Sequence, residues 1–209
     1  MSEKSYTTVK SFATSRFEDR KSVFIGLCSP VTTEEEALAF IASAKKTYPD
    51  AKHHVFAYVL KDNSITRFSD DREPQGTAGM PVLDAIRKNN CVNTVIVVIR
   101  YFGGVLLGTG GLVHAYSEAA LSALRSSEII TYDLYTKLSI KVSYSDYQRL
   151  LPIFTLFNFF ADDTQYLEDI EIFGSVAEDA CDNFKNKITE ATSGRSRIDI
   201  KETVFDYRG

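Results

Sequence analysis

The sequence predicts an α+β protein built from two domains. Its 209 residues suffice for one large domain or two small ones, and its 44% hydrophobic and 25% charged content is that of an ordinary globular chain. Short segments with apolar residues at period two are interspersed with segments at helical spacing, and their order changes along the chain. A boundary is predicted near Ile130–Leu134, with domains at 1–131 and 132–209.

Strands are predicted in the first portion where β-branched and aromatic residues alternate with polar ones. Val92–Ile99 is the most apolar run of the chain, and its β-branched residues predict a strand buried on both faces. The other predicted strands are Thr8–Phe17, Ser22–Cys28, His54–Leu60 and Ile65–Phe68, with a charged turn at Glu18–Lys21 and a tight turn at Asp62-Asn63.

Three helices are predicted in the same portion. Thr32 or Thr33, followed by three glutamates, is a helix start because acidic side chains in the first turn interact favourably with the helix dipole. This helix should end near Tyr48-Pro49. Met80–Lys88 and Leu112–Leu124 carry apolar residues at helical spacing and complete the set.

The second portion follows the order strand–helix–strand–strand–helix–strand of a ferredoxin-like unit. Its first strand contains Leu138, Ile140 and Val142 in alternation with polar residues. Asp146 is predicted to cap the next helix, which Pro152 should kink or shorten. The remaining predicted elements are strands at Asn158–Tyr166, Glu168–Phe173 and Arg197–Phe205 and a helix at Val176–Ile188.

The net charge of −4 is unevenly distributed. The residues up to Ile130 carry fifteen Lys/Arg against fourteen Asp/Glu, and the remainder carries nine against fourteen. A polyanion-binding surface therefore belongs on the first portion. Neither portion is basic enough to indicate nucleic-acid binding from bulk charge alone.

Several classes of protein are disfavoured by what the sequence lacks. No apolar run approaches the roughly 20 residues of a membrane span, and the N-terminus has no signal-peptide core, so a cytoplasmic location is expected. Cys28, Cys91 and Cys181 lie far apart and are predicted to be reduced, buried hydrophobes. Three scattered cysteines and three histidines do not predict a zinc site.

Unusual backbone chemistry is concentrated in Arg67–Tyr116. Seven of the eleven glycines lie in Gly76–Gly111, within a polar loop and within Arg100–Gly111, which joins the buried strand to a helix. Such a turn can present backbone N–H groups to an anion, but its spacing matches neither GxxxxGK[ST] nor GxGxxG. The interpretations are a nucleotide cradle, a structural bend, or a surface that contacts a polymer or protein partner.

Arg100 ends the buried strand beside two aromatic residues, Tyr101 and Phe102. It has two interpretations: an ion pair with Asp70 or Asp71, or a guanidinium fork for phosphate next to rings that stack on bases. The two aromatic rings should point to opposite faces of the strand, so at most one is expected in the core.

The sequence contains little that indicates a catalytic or metal-binding site. Asp70, Asp71 and Glu73 share a turn but lack a fourth oxygen ligand at calcium-loop spacing, so they are interpreted as solvated or salt-bridged. His53-His54 begins a strand with its two rings on opposite faces, which disfavours a shared metal. No nucleophile elbow or activated cysteine is present. The sequence predicts no enzyme, metal or cofactor.

At these residues the chain resembles the YigZ/IMPACT family. The resemblance rests on Ser69–Gly79, Val97–Val113 and Ala115-Tyr116, and it covers essentially the whole chain. It implies a first domain similar to the second domain of ribosomal protein S5 and to domain IV of translocation factor G, and a ferredoxin-like second domain similar to domain V of that factor. It also implies a role at the ribosome, or with RNA or translation-control proteins; the eukaryotic relatives regulate translation through the general-control stress pathway.

Two residues depart from the family pattern. The family usually has glycine where Arg72 stands, so the Asp-Asp turn is here less permissive and more basic. It often has lysine or arginine where His114 stands, so the charge of the second loop is weaker at neutral pH. His114 either binds an anion when protonated or is an ordinary surface group.

The sequence therefore predicts a non-enzymatic protein that binds RNA, the ribosome or a translation-control partner; its oligomeric state is left open. One alternative is an enzyme or binder of a small phosphorylated ligand that uses the same glycines, and another is a protein adaptor. The predicted surface comprises Arg67, Arg72, Glu73, Gln75, Gly76, Thr77, Arg100, Tyr101, Phe102, Gly103, Gly104, Gly108, Thr109, Gly110, Gly111 and His114.

Overall fold

A computed structural model describes residues 5–61 and 65–208. They form two units, Tyr6–Thr131 and residues 132–208, and Ser5 groups with the second unit. The strands are β1 (Ser5–Val9), β2 (Ala13–Asp19), β3 (Ser22–Pro30), β4 (His53–Val59), β5 (Thr66–Ser69), β6 (Thr94–Tyr101), β7 (Ile129–Val142), β8 (Phe160–Tyr166), β9 (Ile170–Ala177) and β10 (Arg197–Asp206). The helices are α1 (Glu34–Thr47), α2 (Gly79–Lys88), α3 (Gly108–Ser126), α4 (Tyr144–Leu156) and α5 (Cys181–Ala191).

The first unit is an antiparallel sheet with helices on both faces. Its strand order is β2-β3-β6-β4-β5, so β6 is the central strand. Ile96 and Val98 of β6 pack in one core with residues of α2 and α3, whereas Val95 and Val97 pack in another with α1. The prediction of a strand buried on both faces is confirmed, and the α+β class with it.

The N-terminal strands differ from their prediction. Thr8–Phe17 is not one strand, because the strand is interrupted between β1 and β2. In this interruption the Lys10 amide donates a hydrogen bond to the carbonyl of Glu128 (2.8 Å). The charged turn is confirmed and is a two-residue hairpin loop, in which Arg20 and Lys21 have φ of +44° and +66°. The predicted turn at Asp62-Asn63 lies outside the described residues.

Local sequence signals predicted the start of α1 correctly but not the start of α3. Thr33 caps α1 as predicted: its hydroxyl accepts from the Glu36 amide (3.2 Å), and the Glu36 carboxylate accepts from the Thr33 amide (3.4 Å). The start of α3 was placed wrongly at Leu112, since the helix begins at Gly108. Glycine has a low helix propensity, and burial of Leu112 and Tyr116 stabilises the first turns of α3 instead.

The second unit has the ferredoxin-like arrangement. Its strands occur in the spatial order β10-β7-β9-β8, which is fourth, first, third and second along the chain, with all neighbours antiparallel. Leu138 and Ile140 of β7 pack in its core with Leu150 of α4 and Phe184 of α5. The predicted strand–helix–strand–strand–helix–strand order is confirmed.

Three details of the second unit correct the sequence prediction. Ser143, not Asp146, caps α4, because the Ser143 hydroxyl accepts from the Asp146 amide (3.3 Å). Pro152 lies inside α4, which continues to Leu156, so it does not end the helix there, and the predicted kink stays a prediction. The predicted helix start at Val176 is wrong, since Val176 pairs with Thr136 in the sheet and α5 begins only at Cys181.

The Asp146 carboxylate has a structural role within this unit. It accepts hydrogen bonds from Arg195 Nε (3.0 Å) and Nη2 (2.8 Å), and these bonds hold the pKa of Asp146 below its usual value. No helix in the described part of the chain is long and apolar enough to span a membrane.

Candidate functional site

The glycine-rich segments emerge at one end of the first sheet. Because β6 is antiparallel to β3 and β4, its last residues face the first residues of both: Tyr101 pairs with Val23, and Arg100 pairs with His53. The β2–β3 turn, the loop after β5 and the segment after β6 therefore lie at the same end. We use the name loop face for Arg20-Lys21, residues 70–78, residues 102–111 and His114.

A buried ion pair lies beneath the loop face. Arg100 and Glu73 are 6% and 9% exposed, and Arg100 Nη1 donates to Glu73 Oε1 at 2.6 Å. The Tyr116 hydroxyl donates to the same oxygen at 2.8 Å, and His53 Nε2 lies 3.9 Å from it. Glu73 thus connects the loop after β5 to the end of β6 and to α3.

This arrangement corrects the interpretations of Arg100. Its partner is Glu73 rather than Asp70 or Asp71, and its guanidinium is enclosed, 5.6 Å from the Phe24 ring and 5.7 Å from the Phe102 ring. An enclosed and paired guanidinium is not presented to a phosphate at the surface. Burial first, and then the adjacent Glu73 charge, raise the pKa of Tyr116 far above its ordinary value, so its hydroxyl stays protonated.

The two aspartates of the turn accept hydrogen bonds from backbone amides. Asp70 accepts hydrogen bonds from the amides of Gly76 (2.9 Å) and Gly79 (2.8 Å), which closes the loop and satisfies the first turn of α2. Asp71 accepts from the His54 amide at 2.6 Å. Among the described residues, no group of three or more His, Cys, Asp or Glu side chains is arranged to hold a metal ion.

The glycines of the loop face differ in whether contacts inside the chain require them. A Cβ at Gly103 would collide with the Lys21 backbone, and the Gly103 amide donates to the Ser22 hydroxyl (3.2 Å), so this glycine allows two chain segments to touch. A Cβ at Gly110 would meet nothing within 4 Å. Close packing inside this chain therefore explains Gly103 but not Gly110.

Exposed cations surround the end of the sheet. Arg72 and His114 were expected there and are exposed. Arg20 and Lys21 were missed, although the Gly103 contact brings their turn beside the glycine segment. Within residues 5–61 and 65–208, Arg20, Lys21 and Arg72 have no ion-pair partner. The β2–β3 turn lies at this end of the sheet because β3 pairs with β6. No local sequence pattern predicts a pairing between strands so distant in sequence.

The segment after β6 also exposes apolar groups. Phe102 is 49% exposed and Leu106 is 82% exposed, whereas Tyr101 packs against the core beneath α1. The prediction that at most one of the two aromatic rings is in the core is confirmed.

The N-terminus of α3 adds backbone donors to the loop face. No side chain caps this helix, and no acidic residue lies in its first turn, Gly108–Gly111. Its first N–H groups and the positive end of its dipole therefore face outward beside Thr109 and Gly110, which are exposed.

Other predicted residues do not join this face or are not free to bind. Arg67 pairs with Tyr58 across the sheet and lies 3.8 Å from Glu34, at the start of α1 and on the opposite face from Arg100. Thr77 is buried, and its hydroxyl donates to the Pro74 carbonyl (2.7 Å). Residues Gln75 and Gly76 are exposed on the loop face as expected.

Comparisons with known proteins place this fold in one family. The Impact N-terminal domain family matches residues 20–124, and a domain of unknown function, DUF1949, matches residues 140–195. A crystal structure described as that of a hypothetical protein superposes with a TM-score of 0.60 at 28% identity, covering 96% of this chain and 98% of that one.

Three relatives illustrate the range of similarity. The chain is 35% identical to IMPACT family member YvyE of Bacillus subtilis over 97% of its own length and 93% of that protein. It is 40% identical to IMPACT family member YigZ of Escherichia coli over 65% of its length and 67% of that protein. To the Protein IMPACT homolog of Saccharomyces cerevisiae it is 31% identical, over 52% of this chain and 43% of the yeast protein.

Proposed function

The chain belongs to the IMPACT family, and from this premise we propose that it is a non-enzymatic, translation-linked regulatory protein. It binds RNA, the ribosome or a translation-control partner, and the contact surface is the loop face of the first unit. The link to translation follows from the resemblance of the chain to translation-linked relatives, whereas the choice of surface follows from the geometry of this chain.

The supporting observation is the group of unpaired cations at one end of the first sheet. Arg20, Lys21 and Arg72 are exposed without an ion-pair partner in the described residues, beside the uncapped first turn of α3. Phosphates are bound by such cations and by helix N-terminal amides, and an exposed ring such as Phe102 can stack on an unpaired base. The second unit, with its excess of acidic residues, lacks this character.

Charge reversal tests this surface directly. In a Lys21→Glu/Arg72→Glu double variant, affinity for single-stranded RNA and for ribosomes should fall by at least about tenfold at low salt, because two phosphate-facing cations become anions. Fluorescence anisotropy with labelled RNA and co-sedimentation with ribosomes measure the two affinities. The salt dependence of RNA binding should also become shallower.

The matched control reverses two exposed cations in the last turn of α1, Lys45→Glu/Lys46→Glu, and leaves the net charge equal to that of the test variant. Equal weakening by both double variants would show that only overall charge matters and would remove the site assignment. Unchanged RNA and ribosome binding in the test variant would do the same.

A small phosphorylated ligand is the second candidate, favoured by the uncapped N-terminus of α3 alone. A thermal-shift screen with nucleotides and sugar phosphates tests it. A rise in melting temperature that Gly110→Ala or Thr109→Asp abolishes would support it, and no response across the set would count against it.

A further inference from the structure

The second unit contains a preformed aromatic cavity on its surface. Its volume is about 680 Å³, and it is lined by Tyr135, Phe154, Phe157 and Phe159. These rings are held by one another: the Phe154 and Phe159 centroids are 4.7 Å apart, and Phe159 stacks on the buried Phe184 at 5.1 Å. Rings fixed in this way keep the cavity open without a ligand.

Leu156, which also lines this cavity, is 70% exposed, so the aromatic lining continues into an apolar rim.

A second cavity, of about 270 Å³, adjoins the first and is acidic. The two share Tyr135, and the second is also lined by Asp133, Glu178 and Asp179. Among the described residues, none of these three carboxylates has an ion-pair partner. Burial first, and then the Asp133 charge, raise the pKa of Tyr135, which is consistent with a negative potential where the two cavities meet.

The charge of Arg208 acts against the rise in the pKa of Tyr135, but this cation is shared with other carboxylates. Arg208 lies over the Phe160 ring at 5.4 Å, but it is already paired with Asp162 (2.8 Å) and Asp206 (2.7 Å). Asp206 in turn pairs with Asp133 across β10 and β7, so two acidic residues stand opposite each other where Asp133 lines the second cavity.

The end of α4 adds to the negative potential. Thr155, Leu156 and Phe157 line the aromatic cavity, and they are the C-terminal residues of this helix and its cap. No basic residue lies in the last turn of α4, so the negative end of its dipole is uncompensated there.

We propose that the two cavities form one docking groove for a basic segment of a partner protein that carries a leucine or phenylalanine anchor. The anchor enters the aromatic cavity, and lysine or arginine side chains face Asp133, Glu178 and Asp179. An apolar anchor flanked by complementary charge is the usual composition of a segment that binds in a groove. RNA is repelled by the same carboxylates, so this surface is distinct in ligand class from the loop face.

The test uses the full chain and a labelled synthetic peptide composed of lysine and leucine. Two comparison peptides replace every lysine by glutamate or every leucine by serine. Fluorescence anisotropy should show saturable binding of the first peptide alone, and Glu178→Lys should weaken it by roughly threefold to tenfold, because an attractive contact becomes repulsive. Leu156→Ser should weaken it while leaving its salt dependence unchanged.

The matched control is Glu168→Lys, an exposed site with the same change of charge. It adjoins Tyr166, at the opposite end of β8 from Phe160 and about 20 Å away along the strand. Equal weakening by Glu168→Lys would show nonspecific attraction and overturn the proposal. So would binding of the serine peptide as tightly as the leucine peptide, displacement by equimolar spermidine, or no saturable binding up to about 1 mM.

Discussion

Glu73 shows how one buried side chain can organise the loop face from beneath. Its carboxylate accepts hydrogen bonds from Arg100 of β6 and Tyr116 of α3 and so connects the loop after β5 to both elements. A buried carboxylate paired in this way is costly to leave without its partner, so the three groups act as a unit. Arg100 therefore helps to set the shape of the loop face although it is itself buried.

Removal of the Arg100 side chain should destabilise the protein severely. Arg100→Ala leaves Glu73 buried without its counter-charge, and the free energy of unfolding in urea should fall by roughly 3–5 kcal/mol. Arg67→Ala is the control, because Arg67 is exposed and 3.8 Å from its carboxylate partner, and should cost at most about 1 kcal/mol. Similar losses in the two variants would contradict the structural role of Arg100.

Arg72 has a backbone conformation that glycine adopts more readily. Its φ is +70°, so Arg72→Gly should raise the free energy of unfolding by roughly 0.5–1 kcal/mol, because the steric cost of a Cβ in the left-handed region is removed. Lys88→Gly, at the end of α2, should instead lower it by up to about 1 kcal/mol. A loss of stability in Arg72→Gly would refute the argument from φ.

The first turn of α3 is the element that connects the fold most closely with the proposed function. It contains Gly108–Gly111 and has no side-chain cap, although better helix-forming residues are available for an ordinary surface turn. Gly103 is required by a contact inside the chain, but Gly110 faces open space. Close approach of a partner to the backbone would explain why position 110 is a glycine.

Gly110→Ala separates these explanations. Because an added Cβ meets nothing in the chain and alanine favours a helix, the free energy of unfolding should rise by roughly 0.5–1 kcal/mol. RNA or ribosome affinity should fall if a partner approaches this backbone closely. A more stable variant with undiminished affinity would exclude contact at Gly110, and Gly103→Ala, which collides with the Lys21 backbone, should be destabilised instead.

At the scale of the whole molecule, the chain combines two units of different charge. The first portion is nearly balanced, whereas the residues after Ile130 carry an excess of five acidic groups. Each unit has its own hydrophobic core, and the core of the second is made only of residues after Thr131. We propose on this basis that the two units are domains that fold independently.

A fragment of residues 129–209, which starts with the complete β7, should therefore fold alone. Circular dichroism in urea should show one cooperative transition, because β7, β8, β9 and β10 and the core of the unit are all retained, and only the neighbouring β1 is lost from the sheet. A fragment starting at Ser143 lacks β7, the strand between β10 and β9, and should remain unfolded. Absence of a cooperative transition in the longer fragment would disprove independent folding.

The sequence by itself determined the class of the fold and most of its elements. Patterns of period two and 3.6, the Thr33 capping box and the apolar run of β6 act over a few residues, so local sequence suffices to detect them. The same patterns could not locate the start of α3 at Gly108, because packing of Leu112 and Tyr116 outweighs the weak propensity of glycine.

Only the tertiary structure decided which residues meet. Strand pairing places Arg20 and Lys21 beside Gly103 and sends Arg67 to the opposite face, and it buries Arg100 against Glu73. The Arg100–Glu73 and Gly103–Ser22 hydrogen bonds join residues 27 and 81 positions apart, and no local pattern encodes such contacts. The glycine-rich stretch could be recognised from sequence, but its division into structural and exposed positions required the packed fold.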